Sequence, residues 1–220
     1  MNLKNYLFFV MITVLISSCG KDDEPDPATS PLYIPSEVKR YTFFWPGTYW
    51  IYKDSVSGIE DSVYVSSETH GLDTVDGTGG NSLVGIFEWF QIAIHSAYTQ
   101  SDYYYWAHMS YSAIDPKTKV WLAKEKMGSP VGKNLFFVYP LGSNVNYYSG
   151  YDTLTVTGYY NTMIINGVFF NNVIKMHYSE NVIEDGNKTD FFISKNFGIV
   201  RKELLDSNKT WNLIRYQIIQ

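Results

Sequence analysis

Four histidines, His70, His95, His108 and His177, are the side chains best suited to acid–base or metal chemistry in this sequence. None stands two or four positions from another, and none has a cysteine or a pair of carboxylates beside it, so zinc-ligand spacing is absent. On an extended chain His95 shares a face with Trp89, Gln91 and Ala93, and His108 shares one with Trp106 and Ser110. These two are the histidines that could meet inside a barrel. His177, on the face of Lys175 and Ser179, reads as solvated surface, and His70 as part of a glycine-rich loop. Glu88, between Phe87 and Trp89, is the carboxylate whose neighbours could desolvate it and raise its pKa, as a general acid requires. No second carboxylate stands at readable spacing, so a strand-end glutamate facing water is the expectation.

Other reactive patterns are missing. Gly-x-Ser-x-Gly does not occur, which removes the common hydrolase elbow. Gly77-Thr78-Gly79-Gly80-Asn81-Ser82 lacks the third glycine of a dinucleotide fingerprint, no helix follows it, and it reads as a loop. Asp73, Asp76 and Asn81 do not have the one-three-five spacing of a calcium loop. No cofactor and no metal are expected, and Glu88, His95 and His108 are the catalytic candidates. The densest chemical signal is Tyr103-Tyr104-Tyr105-Trp106, because Tyr and Trp join a flat apolar face to a polar tip and suit sugar rings, amphipathic ligands and partner surfaces. Trp89, Tyr103, Tyr105 and Trp106 are the ligand-binding candidates, against the alternative that they form a core strand with two aromatic faces.

The elements that would position these residues are strands. Of 220 residues, 45% are hydrophobic, 17% aromatic and 18% charged, a globular composition. From about Val38 onward no apolar i, i+3, i+4, i+7 pattern lasts three turns, whereas runs rich in Val, Ile, Thr, Tyr, Phe and Trp recur between Gly, Asn, Asp and Ser clusters. Strands are predicted near 48–56, 60–68, 83–98, 102–112, 118–126, 134–140, 152–166, 168–182, 188–194, 198–204 and 210–219. Turns are predicted at Ser57-Gly58, Asn166-Gly167 and Asp185-Gly186, which makes consecutive strands antiparallel neighbours. Thr153-Leu154-Thr155-Val156-Thr157 alternates cleanly, but doublets such as Phe43-Phe44, Trp89-Phe90, Phe136-Phe137 and Phe191-Phe192 place aromatics on both faces of the sheet. A sheet of this kind needs both faces covered, so the expected fold is all-β: a strongly curved antiparallel sheet, an open barrel or calyx, with a two-sheet sandwich as the alternative.

At the N-terminus Lys4 precedes an apolar run from Tyr6 to Ile16, broken only by Thr13, and then Ser17-Ser18-Cys19. Eleven helical residues rise about 16 Å, short of the ~30 Å hydrocarbon core, so a signal peptide is expected here rather than a permanent span. Leu15-Ile16-Ser17-Ser18-Cys19-Gly20 resembles the lipobox of bacterial lipoproteins, which implies acylation of Cys19, the one cysteine in the sequence. Lys21-Asp22-Asp23-Glu24 is similar to the signal that sends Bacteroidetes lipoproteins to the outer face of the outer membrane. The resulting division is a signal peptide over 1–18, a lipidated cysteine with a Pro- and Asp-rich tether over 19–37, and one β-rich domain over 38–220.

Within the domain, Pro46-Gly47-Thr48-Tyr49-Trp50-Ile51-Tyr52-Lys53 resembles the opening strand of uncharacterised Bacteroidetes lipoproteins. Phe191-Phe192-Ile193-Ser194-Lys195-Asn196-Phe197-Gly198-Ile199-Val200 and Trp211-Asn212-Leu213-Ile214 resemble their closing strands. The resemblance implies an outer-membrane, surface-exposed compartment, with the periplasmic face as the alternative, and implies no activity. Seventeen basic against 22 acidic residues, a net charge of −5, exclude a nucleic-acid binder that works by neutralising phosphates. The expected partners are the membrane, through Cys19, and a glycan, lipid or protein ligand. A non-catalytic binding lipoprotein is the leading expectation, with a hydrolase or a structural envelope component as alternatives.

Overall fold

The computed structural model describes residues 30–76, 84–108, 120–126, 134–139, 146–149, 152–179 and 188–220. Cys19, Lys21, Asp22, Asp23 and Glu24, the Gly77–Ser82 segment and the Asp185-Gly186 turn lie outside them.

Among the described residues, twelve antiparallel strands form one sheet: β1 (Tyr49–Asp54), β2 (Glu60–Asp76), β3 (Val84–Ser96), β4 (Ser101–His108), β5 (Val120–Lys126), β6 (Asn134–Tyr139), β7 (Asn146–Ser149), β8 (Asp152–Ile165), β9 (Val168–Tyr178), β10 (Thr189–Ser194), β11 (Gly198–Leu204) and β12 (Lys209–Gln217). Their order is β6-β5-β4-β3-β2-β1-β12-β11-β10-β9-β8-β7. Each neighbour in the sheet is therefore a neighbour in sequence, except where β1 meets β12 along Tyr49–Asp54 and Gln217–Trp211. The two edge strands, β6 and β7, come close together without pairing. The sheet is curled but not closed, an open barrel. Asn166 and Gly167 turn β8 into β9 with φ of 50° and 80°, the paired positive values that a tight twisted hairpin needs.

Curling gives each strand an inner and an outer face. Leu154 and Val156 are buried while Thr157 is exposed, as the alternation predicts. On β1 the inner residues are Trp50, Tyr52 and Asp54, and on β3 they are Phe90, Ile92, Ile94 and Ser96. β10 is buried along its whole length. The outward ring of Phe192 is covered by Tyr160, with centroids 6.3 Å apart, and by the Lys175 ammonium and Arg201 guanidinium, 5.2 and 5.6 Å from its centroid.

One end of the barrel is plugged by the segment preceding β1. Leu32 makes a parallel bridge to Phe87, and helix α1 (Ser36–Thr42) follows, with Val38, Tyr41 and Thr42 buried. These residues show the i, i+3, i+4 pattern, but two turns are too few for a periodicity search to register. The helix ties opposite walls together. Lys195 on the β10–β11 turn reaches Glu37 at 2.7 Å, the Asn196 N–H donates to the Arg40 carbonyl at 2.7 Å, and Lys39 binds Glu88 of β3 at 2.6 Å. The packed domain thus begins before residue 38, since Ile34 is already buried.

Three further expectations change. β7 lies where no strand is predicted, because four residues are too short a run to show alternation. β2 runs on to Asp76, so His70 is a strand residue paired with Phe90 and not part of a loop. Gly71, inside that strand, is covered by the indole of its partner Trp89, whose Nε1 lies at van der Waals distance, 3.4 Å, from the ideal Cβ position. His177 is only partly solvated: its Nδ1 is 2.6 Å from the Asp190 carboxylate, which also takes the Lys175 ammonium at 2.7 Å.

Candidate functional site

A cavity of about 260 Å³ occupies the interior between β1–β4 and β10–β12. Its floor lies against the plug, where Tyr41, Phe44 and Trp50 meet. Phe44 stands edge-on to Trp50 with centroids 5.0 Å apart, and the Trp50 indole N–H donates to the Phe197 carbonyl at 2.6 Å, so both rings are fixed. Ile94, Tyr103, Tyr105 and Phe191 form the walls. The far end lies between the β3–β4 and β11–β12 turns, where Tyr98, Ser207 and Lys209 border it. There the cavity reaches solvent, and Tyr98 is 44% exposed.

The polar groups on the wall are specific. Asp61, opposite Tyr52 on β2, accepts from the Ser96 hydroxyl at 3.0 Å and from the Tyr98 N–H at 3.0 Å, which braces the β3–β4 turn. Burial pushes the Tyr52 phenol well above its ordinary pKa, and Tyr105 and Asp61 add to the rise. Tyr52 therefore stays neutral and donates to the Ile199 carbonyl at 2.8 Å. The Tyr103 and Thr99 hydroxyls lie 3.3 Å apart. The whole is a chamber rich in aromatic rings with polar groups at set points of its wall, which is the usual make-up of a small-molecule site.

Of the residues singled out in the sequence, Tyr103 and Tyr105 border this cavity. Trp89 and Trp106 do not. Trp106 stands opposite Gln91 on β3, and the strand pleat puts it on the face opposite Tyr105. Glu88 is not a solvated strand end: its carboxylate accepts from the Ile34 N–H at 2.7 Å and holds Lys39, locking the plug to β3. His95 lies on the outer face, 2.8 Å from Asp102 and against the Tyr64 ring, with centroids 5.1 Å apart. Its backbone pairs with Asp102, whereas that of His108 pairs with Trp89. The two histidines are thus six residues apart along the ladder, about 20 Å at the strand rise, and are not brought together. Among the described residues no cluster of three His, Cys, Asp or Glu side chains could hold a metal ion.

No family model matches the chain, and neither a curated protein nor a solved structure matches it.

Sequence reasoning missed Trp50, Tyr52, Trp211, Lys202 and Lys209, all on the cavity wall. The alternation of Tyr49-Trp50-Ile51-Tyr52 gave a usable signal for the first two, since Trp50 and Tyr52 share a face. The two lysines flank a hairpin turn, where solvated cations are ordinary, and nothing local distinguishes them. Among the described residues no helix is long and apolar enough to cross a membrane.

Proposed function

We propose that the chain is a non-catalytic binding protein of the cell envelope, anchored by a lipid on Cys19, whose barrel takes a small amphipathic molecule. The observation that carries the reading is the cavity of about 260 Å³ with an aromatic floor and a polar rim. A chamber larger than the ~150 Å³ engineered cavity that accepts benzene suits one substituted ring or a short acyl chain. A protein or a long glycan does not fit it, so the ligand classes expected from the sequence narrow to the lipid-like one. Glu88 and His95, two of the catalytic candidates, are tied up in structural contacts away from the cavity.

The test uses bromo-octanol with a terminal bromine, which quenches tryptophan on contact. Added to the full chain in detergent-free polymer discs, it is expected to quench emission saturably, and most of that quenching should vanish in Trp50→Phe/Trp211→Phe. Non-saturating quenching, or quenching unchanged in the double variant, refutes occupancy of the cavity. The anchor rests on the Leu15–Gly20 pattern. Cells fed radiolabelled palmitate should label the protein and fail to label Cys19→Ala; equal labelling of both would remove the lipoprotein reading.

A further inference from the structure

We propose that the β8–β9 hairpin is a membrane-docking arm, whose residues Ile164 and Phe169 enter the headgroup region of the bilayer that holds the lipid on Cys19. The inference goes beyond cavity binding and rests on the anchor proposed above.

The register of the sheet defines the arm. β10 pairs with β9 only as far as Ser194 with Val173, so the hairpin from Thr162 to Asn171 runs on past the last rung. It lies against the end closed by α1. Tyr41 of the helix donates its hydroxyl to the Asn172 carbonyl at 3.3 Å, Ser194 donates to the Asn171 carbonyl at 2.9 Å, and Asn166 at the tip reaches the Leu213 carbonyl of β12 at 3.4 Å. The pleat gives the arm two faces. Ile165 and Phe170 are buried on one, with Phe170 edge-on to Phe197, centroids 5.3 Å apart. Ile164 and Phe169 stand directly opposite each other on the second and are 59% and 65% exposed.

Holding the arm in place requires only the first face. Two residues nearer the sheet, the second face carries the Thr162 hydroxyl, which donates to the Asn171 side chain at 3.1 Å. That face therefore changes from polar to apolar toward the tip, over about 7 Å of strand. No residue from Thr153 to Ile174 is charged, in a sequence that is 18% charged. Such an arm can enter the headgroup boundary without burying an ionised group, to the roughly 5–10 Å depth of interfacial elements.

The point at which the chain enters the domain selects a bilayer as the occupant. The Leu32 N–H donates to the Ile86 carbonyl, on a part of β3 that lies beyond the start of β1, where Tyr49 is level with Tyr64 and His95. The chain therefore arrives at the α1 end. The segment from Cys19 to Ser30, about eleven residue steps, spans at most about 40 Å. A lipid on Cys19 keeps this end near the bilayer at an effective concentration on the order of millimolar, so a weak insertion is enough to orient the barrel. The cavity mouth, at the opposite turns, then faces away from the lipid.

The test places an NBD–maleimide label on the arm of the full chain, lipidated by the cell and reconstituted in vesicles of phosphatidylcholine and phosphatidylglycerol. Cys19 is the sole native cysteine, so its acylation leaves an introduced cysteine as the one free thiol. In Phe169→Cys, a nitroxide near the top of the lipid chains should remove most of the label's emission, and Ile164→Cys should repeat the result. In Val56→Cys, on the exposed β1–β2 turn at the far end, the same nitroxide should leave the emission unchanged. Arm labels quenched no more than the label at 56, in protein that floats with the vesicles, refute docking and leave the anchor reading standing. A change at 169 that ignores the nitroxide and grows with the protein-to-lipid ratio also refutes it, in favour of a second copy of the chain over the arm. Uptake of label by the unaltered chain shows a free Cys19 thiol and overturns the anchor reading together with the docking that rests on it.

Discussion

Replacing Gly198 with alanine should lower the free energy of unfolding by about 2–4 kcal/mol, the sum of a strained backbone and an overfilled contact. Gly198 opens β11 with φ of 76°, a left-handed conformation that costs any other residue a clash between its Cβ and its own backbone. The space is also occupied. An added Cβ would lie 3.1 Å from Phe44 Cζ and 3.2 Å from its Cε2, with Trp50 Cζ2 at 3.6 Å. The rings are coupled, since Phe44 packs edge-on to Trp50 and the Trp50 indole is bonded to the Phe197 carbonyl, so a methyl at Gly198 must shift Phe44 by a few tenths of an ångström against that packing. Urea titration of Gly198→Ala should give a lower midpoint with an unchanged slope, since the fold is retained and only its stability falls. A loss under about 0.5 kcal/mol would mean that the floor of the cavity yields, contrary to the packing described.

Asp54→Ala should cost about 2–3 kcal/mol at neutral pH, the scale of hydrogen bonds to a charged acceptor whose donors are left without a partner. The Asp54 carboxylate is the hub of the barrel's rim. It accepts from the Ser57 hydroxyl at 2.5 Å, from the Ser57 and Val56 N–H groups at 3.1 and 3.3 Å, and from the Thr210 N–H at 3.1 Å. It therefore shapes the β1–β2 turn and ties that turn to the start of β12, beside the strand pairing that joins the two ends of the chain. Burial acts to raise its pKa, but these four bonds favour the ionised form more strongly and hold it below the usual carboxylate value. The sign of the pH dependence follows. A depressed pKa contributes stability above the unfolded value near 3.9, and that contribution is lost as pH falls through the lower folded value. The difference in unfolding free energy between the unaltered chain and Asp54→Ala should be widest at neutral pH and narrow below about pH 4. A gap of constant size down to pH 2 would show that the ionised carboxylate is not what the turn requires.

Much of the architecture could be read locally. Eleven of the twelve strands correspond to β-branched and aromatic runs between turn residues, because a strand announces itself through its own composition and a hairpin through residues that accept positive φ. Two turns of helix and a four-residue strand escaped because they are shorter than the periods that would reveal them. The junction of β1 with β12 escaped for a different reason: residues some 160 positions apart carry no local mark of their pairing.

The site depended on a parity that sequence cannot supply. Tyr103 to Trp106 predicts an aromatic strand with both faces occupied, and this holds; whether the odd or the even residues face inward is decided by the direction in which the whole sheet curls. Tyr103 and Tyr105 turned in and Trp106 turned out, although an indole and a phenol are almost equally suited to either side. Glu88 likewise reads as a strand-end carboxylate facing water, with a reactive one as the alternative, until Ile34 and Lys39, about fifty residues earlier, arrive to bond it. Composition and short-range pattern thus determined that the domain is a meander of curved antiparallel strands rich in aromatic surface. Tertiary structure alone decided which aromatics enclose a cavity and which cations stand at its rim, because both depend on the sense of curvature and on contacts between distant strands, which no local run of residues encodes.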